Sequence, residues 1–226
     1  MRDEYDAELE DVGRILVAMA DAARAAMSEA TTALLSADAE LATRVVERDA
    51  VIDRHHARVE EKVYGLLALR APVAADLRLL FAALHIAADL ERMGDLAKHV
   101  AKIALRRYPA SAVPASLRDI IASMAGIADR IAVKISDVLA APDAIDAATL
   151  GLDDDEMDRL HEGLFVVLLG AAWRDGVECA VDGALLGRFY ERYADHAVNA
   201  GRRMYFLVTG RTLQKIAIED LGSPDA

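Results

Sequence analysis

The stretch Leu90-Glu91-Arg92-Met93-Gly94-Asp95 places two carboxylates, Glu91 and Asp95, four residues apart. Residues at i and i+4 lie one above the other on the same face of a helix. Two like charges at this spacing destabilise a helix by about 0.2–0.5 kcal/mol. The spacing returns 100 positions later, at Glu191 and Asp195. Because an unfavourable pattern is kept twice, we expect another interaction to offset the repulsion.

The duplication extends into the segments that precede these two stretches. At an offset of 105 positions the matching residues are Asp49 with Asp154, Asp53 with Asp158, and His56 with His161. Two acidic pairs and a histidine that stay in register indicate an internal repeat. We therefore predict two tandem, sequence-duplicated three-helix bundles, at residues 1–109 and 110–212, followed by a flexible tail at 213–226.

The composition favours helices throughout the chain. Apolar residues make up 54% of the 226 positions, many of them alanine, and aromatic residues reach only 5%. Alanine is the strongest helix former, whereas strands are rich in aromatic and β-branched residues. We predict an all-α fold. Apolar periodicity and breaks at proline, glycine and aspartate predict six helices, at about residues 4–35, 39–69, 72–107, 115–140, 144–173 and 177–208.

The chain is acidic, with a formal net charge of −12 and an isoelectric point near 4.9. Such a surface disfavours nucleic acid and anionic lipid, and favours cations or basic patches on partner proteins. The longest apolar run, residues 163–173, is about half of what a membrane-spanning helix needs. The acidic first residues do not read as a signal peptide, and the one cysteine, Cys179, allows no internal disulfide. We expect a cytoplasmic protein.

The carboxylates of the third predicted helix continue an apolar stripe. Phe81, Leu84 and Ala88 precede Glu91 and Asp95 at alternating spacings of three and four residues. This spacing predicts that the carboxylates face a neighbouring helix, a second bundle or a second subunit. A charge in such a place is costly unless it is paired or bound to a metal.

A ladder of salt bridges is one way to offset that cost. Basic side chains lie close in sequence to the acidic pairs on the third and sixth helices: Arg92, Lys98, Lys102, Arg188 and Arg192. For any single pair this alternative stays open, because charged runs usually mark a solvated helix face. It is less favoured once four pairs hold their register across a repeat.

Binding of hard cations is the other way to offset the cost of these carboxylates. The candidate ligands are eight carboxylates, paired across helices two and three and across helices five and six: Asp49, Asp53, Glu91, Asp95, Asp154, Asp158, Glu191 and Asp195. Carboxylates suit Mg²⁺, Mn²⁺, Ca²⁺ and iron, and Zn²⁺ also accepts them. We expect divalent or trivalent metal ions of open identity. The four neighbouring acids at residues 153–156 leave the register of the third pair open.

The histidines are weaker candidates. His56 and His161 each follow an aspartate by three residues, which places them on the acidic stripe. His196 follows Asp195 directly and points about 100° away from it, so we do not expect it to bind the same ion. His85 lies among apolar residues, and we predict a core position for it.

The duplicated pattern resembles the PhoU family, regulators of bacterial phosphate signalling. The resemblance rests on the acidic pairs of residues 91–95 and 191–195, and on the stretch Pro72-Val73-Ala74-Ala75-Asp76-Leu77-Arg78. It covers about residues 3–210. The second half departs from it at Ala194, which stands where the first half has Gly94, and lacks a clear copy of the proline-containing stretch.

The resemblance implies metal clusters held by E/D-x-x-x-D motifs, which are the four acidic pairs of this chain. It also implies a regulator, not an enzyme, that links the ATPase subunit of the phosphate ABC transporter (PstB-like) to a sensor histidine kinase (PhoR-like). Such a protein represses the phosphate-starvation response when phosphate is plentiful and meets the membrane only through its partners. We further expect a homodimer and no nucleic-acid partner.

Two other functions are compatible with an acidic helical bundle. One is a carboxylate-bridged di-iron oxidase, which needs four acids and two histidines around one cavity of a single bundle. The spread of the acids over two halves disfavours it. The other is a metal-independent helical scaffold, whose stability would not depend on metal. Motifs for phosphate-binding loops, dinucleotide binding or a nucleophile elbow do not occur in the chain.

Overall fold

The computed structural model of the chain describes residues 2–70 and 73–211, and these form six long helices without a β-strand. Their bounds are α1 Arg2–Ser36, α2 Ala39–Arg70, α3 Ala75–Arg107, α4 Ala115–Ala140, α5 Ala144–Leu168 and α6 Gly176–Thr209. The predicted all-α fold is confirmed. None of the described helices carries an uncharged apolar stretch long enough to cross a membrane.

The helices pack as two three-helix bundles. Helices α1, α2 and α3 contact one another, and so do α4, α5 and α6. The bundles meet along two further pairs, α1 with α4 and α3 with α6. The predicted tandem arrangement is therefore confirmed, whereas the boundary at residue 109 stays a prediction. The predicted tail at 213–226 lies outside the described residues.

Side-chain caps explain where two of the helices begin. Asp38 accepts a hydrogen bond from the backbone N–H of Leu41, 2.9 Å away, at the start of α2. Asp143 accepts two from the first turn of α5, at 2.7 and 3.0 Å. Both caps occupy N–H groups that have no partner within the helix. At the end of α6, Gly210 adopts a left-handed conformation with φ 70°, as expected for a C-terminal stop.

Helix α5 is shorter than predicted. It ends at Leu168, and residues 169–175 form a turn in place of the predicted continuation to residue 173. The Trp173 indole N–H donates to the carbonyl of Gly176 over 2.9 Å, which ties the turn to the first residue of α6. An apolar run alone cannot show this, because apolar side chains are compatible with both a helix and a turn.

The core face of α3 lies one residue away from the predicted stripe. The buried residues that define it follow helical spacing: Leu80, Ala83, Ala87, Leu90, Gly94 and Ala97. Phe81, predicted to face the core, is 51% exposed. A shift by one residue turns the face by about 100°, so Glu91 and Asp95 lie beside the core face and are half-buried. The prediction that they continue the core stripe is wrong.

Polar contacts join the two bundles along their shared seam. The buried Tyr190 hydroxyl of α6 lies 2.6 Å from the hydroxyl of Thr31 on α1. Asp89 of α3, only 8% exposed, accepts hydrogen bonds from His196 Nδ1 at 3.0 Å and Arg203 Nε at 3.1 Å, both on α6. Buried polar groups with partners on the opposite bundle favour one relative placement of α3 and α6.

Replacement of the α5 cap tests how this helix is initiated. We expect Asp143→Ala to lower the free energy of unfolding by about 1 kcal/mol, because two first-turn N–H groups lose their acceptor. Urea unfolding followed by circular dichroism measures the change. Glu162→Ala, which replaces an exposed acid far from the first turn of the same helix, is the control and should change stability little. Equal effects of the two substitutions would contradict the cap.

Candidate metal centres

A lysine joins the two acidic helices of the first bundle. Lys98 of α3 is hydrogen-bonded to Asp49 of α2 and lies 3.3 Å from Asp95 on its own helix. Asp49 is only 6% exposed, so its charge needs a partner. The Lys98 ammonium supplies one, and its own pKa is raised chiefly by the hydrogen bond to Asp49.

The other two candidate ligands of the first bundle, Asp53 and Asp95, both act on Glu91. Burial raises the pKa of Glu91, the charge of Asp95 raises it further, and Arg92 and His56 oppose both effects. Asp53 also contributes to the raised pKa, so residues of α2 and α3 share one electrostatic neighbourhood. Arg92 pairs with both acids of α3, at 2.9 Å from Asp95 and 3.5 Å from Glu91. The salt-bridge alternative therefore describes much of the first bundle.

Gly94 permits the close approach of α2 that brings Asp49 into this group. A Cβ atom on Gly94 would lie 2.6 Å from Ile52 Cδ1 and 3.5 Å from Asp49 Oδ1. The missing side chain therefore leaves room for the Ile52 side chain of α2 against α3.

The second bundle lacks the bridging lysine. Position 198, which corresponds to Lys98 in the repeat, is a buried valine. Asp154 of α5 is half-buried, and its Oδ1 atom is buried without a hydrogen-bond partner. Burial, followed by the charges of Asp195 and Asp158, raises the pKa of Asp154 to about 6. Arg202 opposes this shift but does not offset burial and the neighbouring acids.

Glu191 and His161 complete this second group. Burial and the charge of Asp195 raise the pKa of Glu191, against the opposing effects of Arg188 and His161. Arg188 donates to both carboxylate oxygens of Glu191 from the preceding turn of α6. His161 of α5 has a buried Nε2 atom without a hydrogen-bond partner. An unpartnered nitrogen and an unpartnered carboxylate oxygen thus lie along the same seam.

The directions of the side chains show which of the four acids at residues 153–156 lies towards α6. Asp153 pairs with α4, where Lys134 Nζ lies 2.6 Å and Arg130 Nε 3.4 Å away. Asp154 instead interacts with Asp195 of α6. Asp154 is therefore the member of the cluster that lies towards the α5–α6 seam.

The two seams differ in how well they fit a metal ion. In the described part of the chain, no three His, Cys, Asp or Glu side chains are close enough together to hold one. In the α5–α6 seam, Asp154 Oδ1 and His161 Nε2 are buried without a hydrogen-bond partner. In the α2–α3 seam, Lys98 already compensates Asp49 and Asp95. The eight predicted ligands and two histidines remain a prediction.

Several interacting residues were not foreseen from the sequence. Asp182 near the start of α6 is buried and pairs with Arg106 and Arg107 at the end of α3. His196, set aside as a metal ligand, is the partner of Asp89 between the bundles. These contacts join residues more than 70 positions apart, so local spacing carries no signal for them. The predicted core position of His85 is wrong, because its side chain is exposed.

Comparison with known proteins places both halves of the chain in one family. The model of the PhoU domain matches residues 16–104 and again residues 121–204. Over 210 residues the chain is 45% identical to "Phosphate-specific transport system accessory protein PhoU homolog 2" of Mycobacterium tuberculosis (strain ATCC 25618 / H37Rv), covering 93% of this chain and 99% of the relative. It is 31% identical over 208 residues to the corresponding PhoU homolog of Rhizobium meliloti, covering 91% and 87%.

Solved structures show the same architecture. The crystal structure of PhoU from Pseudomonas aeruginosa matches with a TM-score of 0.86 at 29% identity, over 92% of this chain and 100% of the other. The phosphate transport system regulatory protein PhoU from Streptococcus pneumoniae matches with a TM-score of 0.84 over 93% and 99%. At 23% identity, the second comparison supports the fold alone.

Replacement of Asp154 tests the uncompensated charge of the α5–α6 seam. The pKa of Asp154 is about 6 in the folded chain and 3.8 in the reference state, so the folded protein binds this proton more tightly. Stability that depends on the protonated acid is present below about pH 4 and is lost as the pH rises towards 6. In metal-free buffer we expect Asp154→Asn to be more stable than the wild type at pH 7, by about 1–2 kcal/mol.

Urea unfolding at several pH values measures this difference between Asp154→Asn and the wild type. The two proteins should have similar stability near pH 4 and diverge as the pH rises to 6. Glu162→Gln, which removes an exposed charge from the same helix, is the control. A difference that stays constant over this pH range would contradict the raised pKa of Asp154.

Proposed function

We propose that this chain, which belongs to the PhoU family, is a cytoplasmic, non-enzymatic regulator of phosphate homeostasis. The observation that carries the proposal is the match of the PhoU domain to both halves of the chain, at 16–104 and 121–204. Relatives at 45% identity that are covered almost end to end are named as accessory proteins of the phosphate-specific transport system. A similar role for this chain follows from the extent of that similarity.

The regulator acts through protein partners. We propose that it links the ATPase subunit of the phosphate transporter to a sensor histidine kinase, and that it represses the phosphate-starvation response when phosphate is plentiful. The net charge of −12 supports partners with basic contact surfaces. Self-association into a homodimer belongs to the same proposal.

Metal binding is assigned first to the second bundle. Asp154, Asp158, Glu191 and Asp195 would hold a hard cation such as Mn²⁺, Mg²⁺ or iron, with His161 as an additional ligand. The support is that burial, together with neighbouring negative charge, raises the pKa of Asp154 and Glu191. A bound cation would neutralise this charge and join α5 to α6.

The first bundle achieves a similar connection with its own side chains. Lys98 joins Asp49 on α2 to Asp95 on α3 and needs no ion to do so. The α2–α3 seam would therefore keep its shape at any metal concentration, whereas the α5–α6 seam would tighten when metal binds. A regulator built in this way presents one constant bundle and one metal-responsive bundle to its partners.

A metal-independent scaffold is the second candidate. The observation that favours it is that no group of three potential ligands is preassembled among residues 2–70 and 73–211. This candidate predicts that metal changes neither stability nor partner binding. The di-iron oxidase is less suited to the structure, because the acids lie along two separate helix pairs and not around one cavity.

Metal uptake distinguishes the two seams. After removal of metal and loading with Mn²⁺, elemental analysis should show that Glu191→Ala/Asp195→Ala loses most of the bound ion, because the seam without a lysine loses two ligands. Glu91→Ala/Asp95→Ala, which makes the same change in the first bundle, should lose a smaller share. Lys98→Val copies the valine of the second bundle and should increase uptake by the first.

Circular dichroism and thermal unfolding of the same variants confirm that each is folded. Loading with Mg²⁺, iron and Zn²⁺ in parallel identifies the preferred ion. Unchanged metal content in all three variants would overturn the metal centres and favour the scaffold. It would leave the proposed role in phosphate regulation standing.

Recovery of partners tests the regulatory role itself. A tagged full chain, expressed in its own organism at high and low phosphate, should recover the transporter ATPase subunit and the sensor kinase. Glu191→Ala/Asp195→Ala should recover less of both, because the α5–α6 seam is altered. Glu47→Ala/Glu61→Ala, which removes two exposed acids of α2, is the control with the same change in charge. Recovery of neither partner by a soluble, abundant bait would contradict the proposal.

A further inference from the structure

We propose that a groove between α3 and α6 binds a nucleotide, with arginines on its phosphates and a phenylalanine against its base. The groove has a volume of about 560 Å³ and lies where the first turns of α3 pass the last turns of α6. Pockets for small organic ligands typically measure about 300–1,000 Å³ and combine apolar walls with a few polar groups.

The charge of this groove is opposite to that of the chain. Arg78, Arg202 and Arg203 line it, and the described lining residues include no aspartate or glutamate. The chain as a whole has 38 acidic and 26 basic residues, so the composition of this lining is opposite in sign to that of the chain. Arg203 is paired with the buried Asp89, so the positive charge offered to a ligand comes chiefly from Arg78 and Arg202. The groove is thus a local site for an anion on an acidic protein.

The three guanidinium groups differ in how firmly they are held. Arg203 is held by the hydrogen bond from its Nε to the buried Asp89, 3.1 Å away, which leaves the terminal N–H groups of its guanidinium for a ligand. Arg202 and Arg78 have exposed side chains on opposite walls, one on each helix. Arginine donates pairs of parallel N–H groups that match the oxygens of a phosphate. One anchored and two adaptable arginines suit a ligand with more than one phosphate.

Aromatic side chains supply a surface for a flat ring. Phe81 on the α3 wall is 51% exposed although it is large and apolar, and Phe206 on the α6 wall is half-buried. Bases stack on aromatic faces whatever their sequence identity. Asn199, which also lines the groove, accepts a hydrogen bond from Arg202 at 3.4 Å through its amide oxygen. Its amide N–H groups can donate to the edge of a base.

The arginines and the apolar walls together limit the class of ligand that fits the groove. Inorganic phosphate would use the arginines but not the apolar walls, and a neutral aromatic would leave the arginines without partners. A nucleotide uses both parts of the groove. Binding of a nucleotide in this groove does not depend on a role in phosphate signalling. The two proposals can therefore fail separately.

Titration of the full chain with ATP in metal-free buffer containing EDTA tests the site without interference from the acidic seams. Isothermal titration calorimetry should show saturable binding of ATP, weaker binding of tripolyphosphate and still weaker binding of adenosine. Arg78→Ala/Arg202→Ala should weaken ATP binding by about tenfold or more, because two charge-assisted contacts are lost. Phe81→Ala should weaken binding of ATP but leave that of tripolyphosphate unchanged.

Arg44→Ala/Arg118→Ala removes two exposed arginines from α2 and α4 and serves as the control of equal charge. It should bind ATP like the wild type, and circular dichroism should show all variants folded. The proposal is overturned by absence of ATP binding to the wild type at millimolar concentration, or by equal losses in the two double variants. Binding of polyglutamate more tightly than ATP would also overturn it and would assign the groove to an acidic peptide.

Discussion

Carboxylates that lie beside a helical core need compensation, and the two halves of this chain provide it differently. In the first bundle, Lys98 reaches across from α3 to the buried Asp49 on α2. In the second, a valine stands at the corresponding position, and burial with neighbouring charge raises the pKa of Asp154 to about 6. Removing charged groups from water is unfavourable unless an opposite charge accompanies them. One difference in the repeat, Lys98 against Val198, therefore separates a seam with a bridging lysine from one without it.

The contact between α3 and α6 connects these differences in charge compensation to the rest of the molecule. Each of the two helices carries one acidic pair, and Asp89, His196 and Arg203 connect them between the bundles. The same pairing forms the groove with three arginines and Phe81. A ligand at either seam or in the groove thus contacts a helix that belongs to the junction. Together with the α1–α4 contact, this junction connects one bundle to the other.

The sequence predicts the positions of the helices well, but it predicts less well which face of a helix lies against the core. The caps at Asp38 and Asp143 and the stop at Gly210 act over a few residues, so composition and spacing are enough to locate them. The stripe through Phe81, Glu91 and Asp95 is displaced from the core face by one residue, since alanine and glycine on the neighbouring face pack closely but contribute little to an apolar pattern. The end of α5 is missed for a related reason, because an apolar run is compatible with both a helix and an apolar turn.

What the sequence determines by itself is the repeated part of the molecule: six helices, the tandem halves, the four acidic pairs and the resemblance to one family. These features follow from periodicity and from internal register, which are local or can be compared along the chain. Only the tertiary structure decides which acids are compensated, because Lys98 and Asp49 are 49 positions apart and Arg203 and Asp89 are 114 apart. It also decides that His85 is exposed and that three arginines share one groove. Charge compensation acts over a few ångströms in space, and distance in space is set by packing and not by position in the sequence.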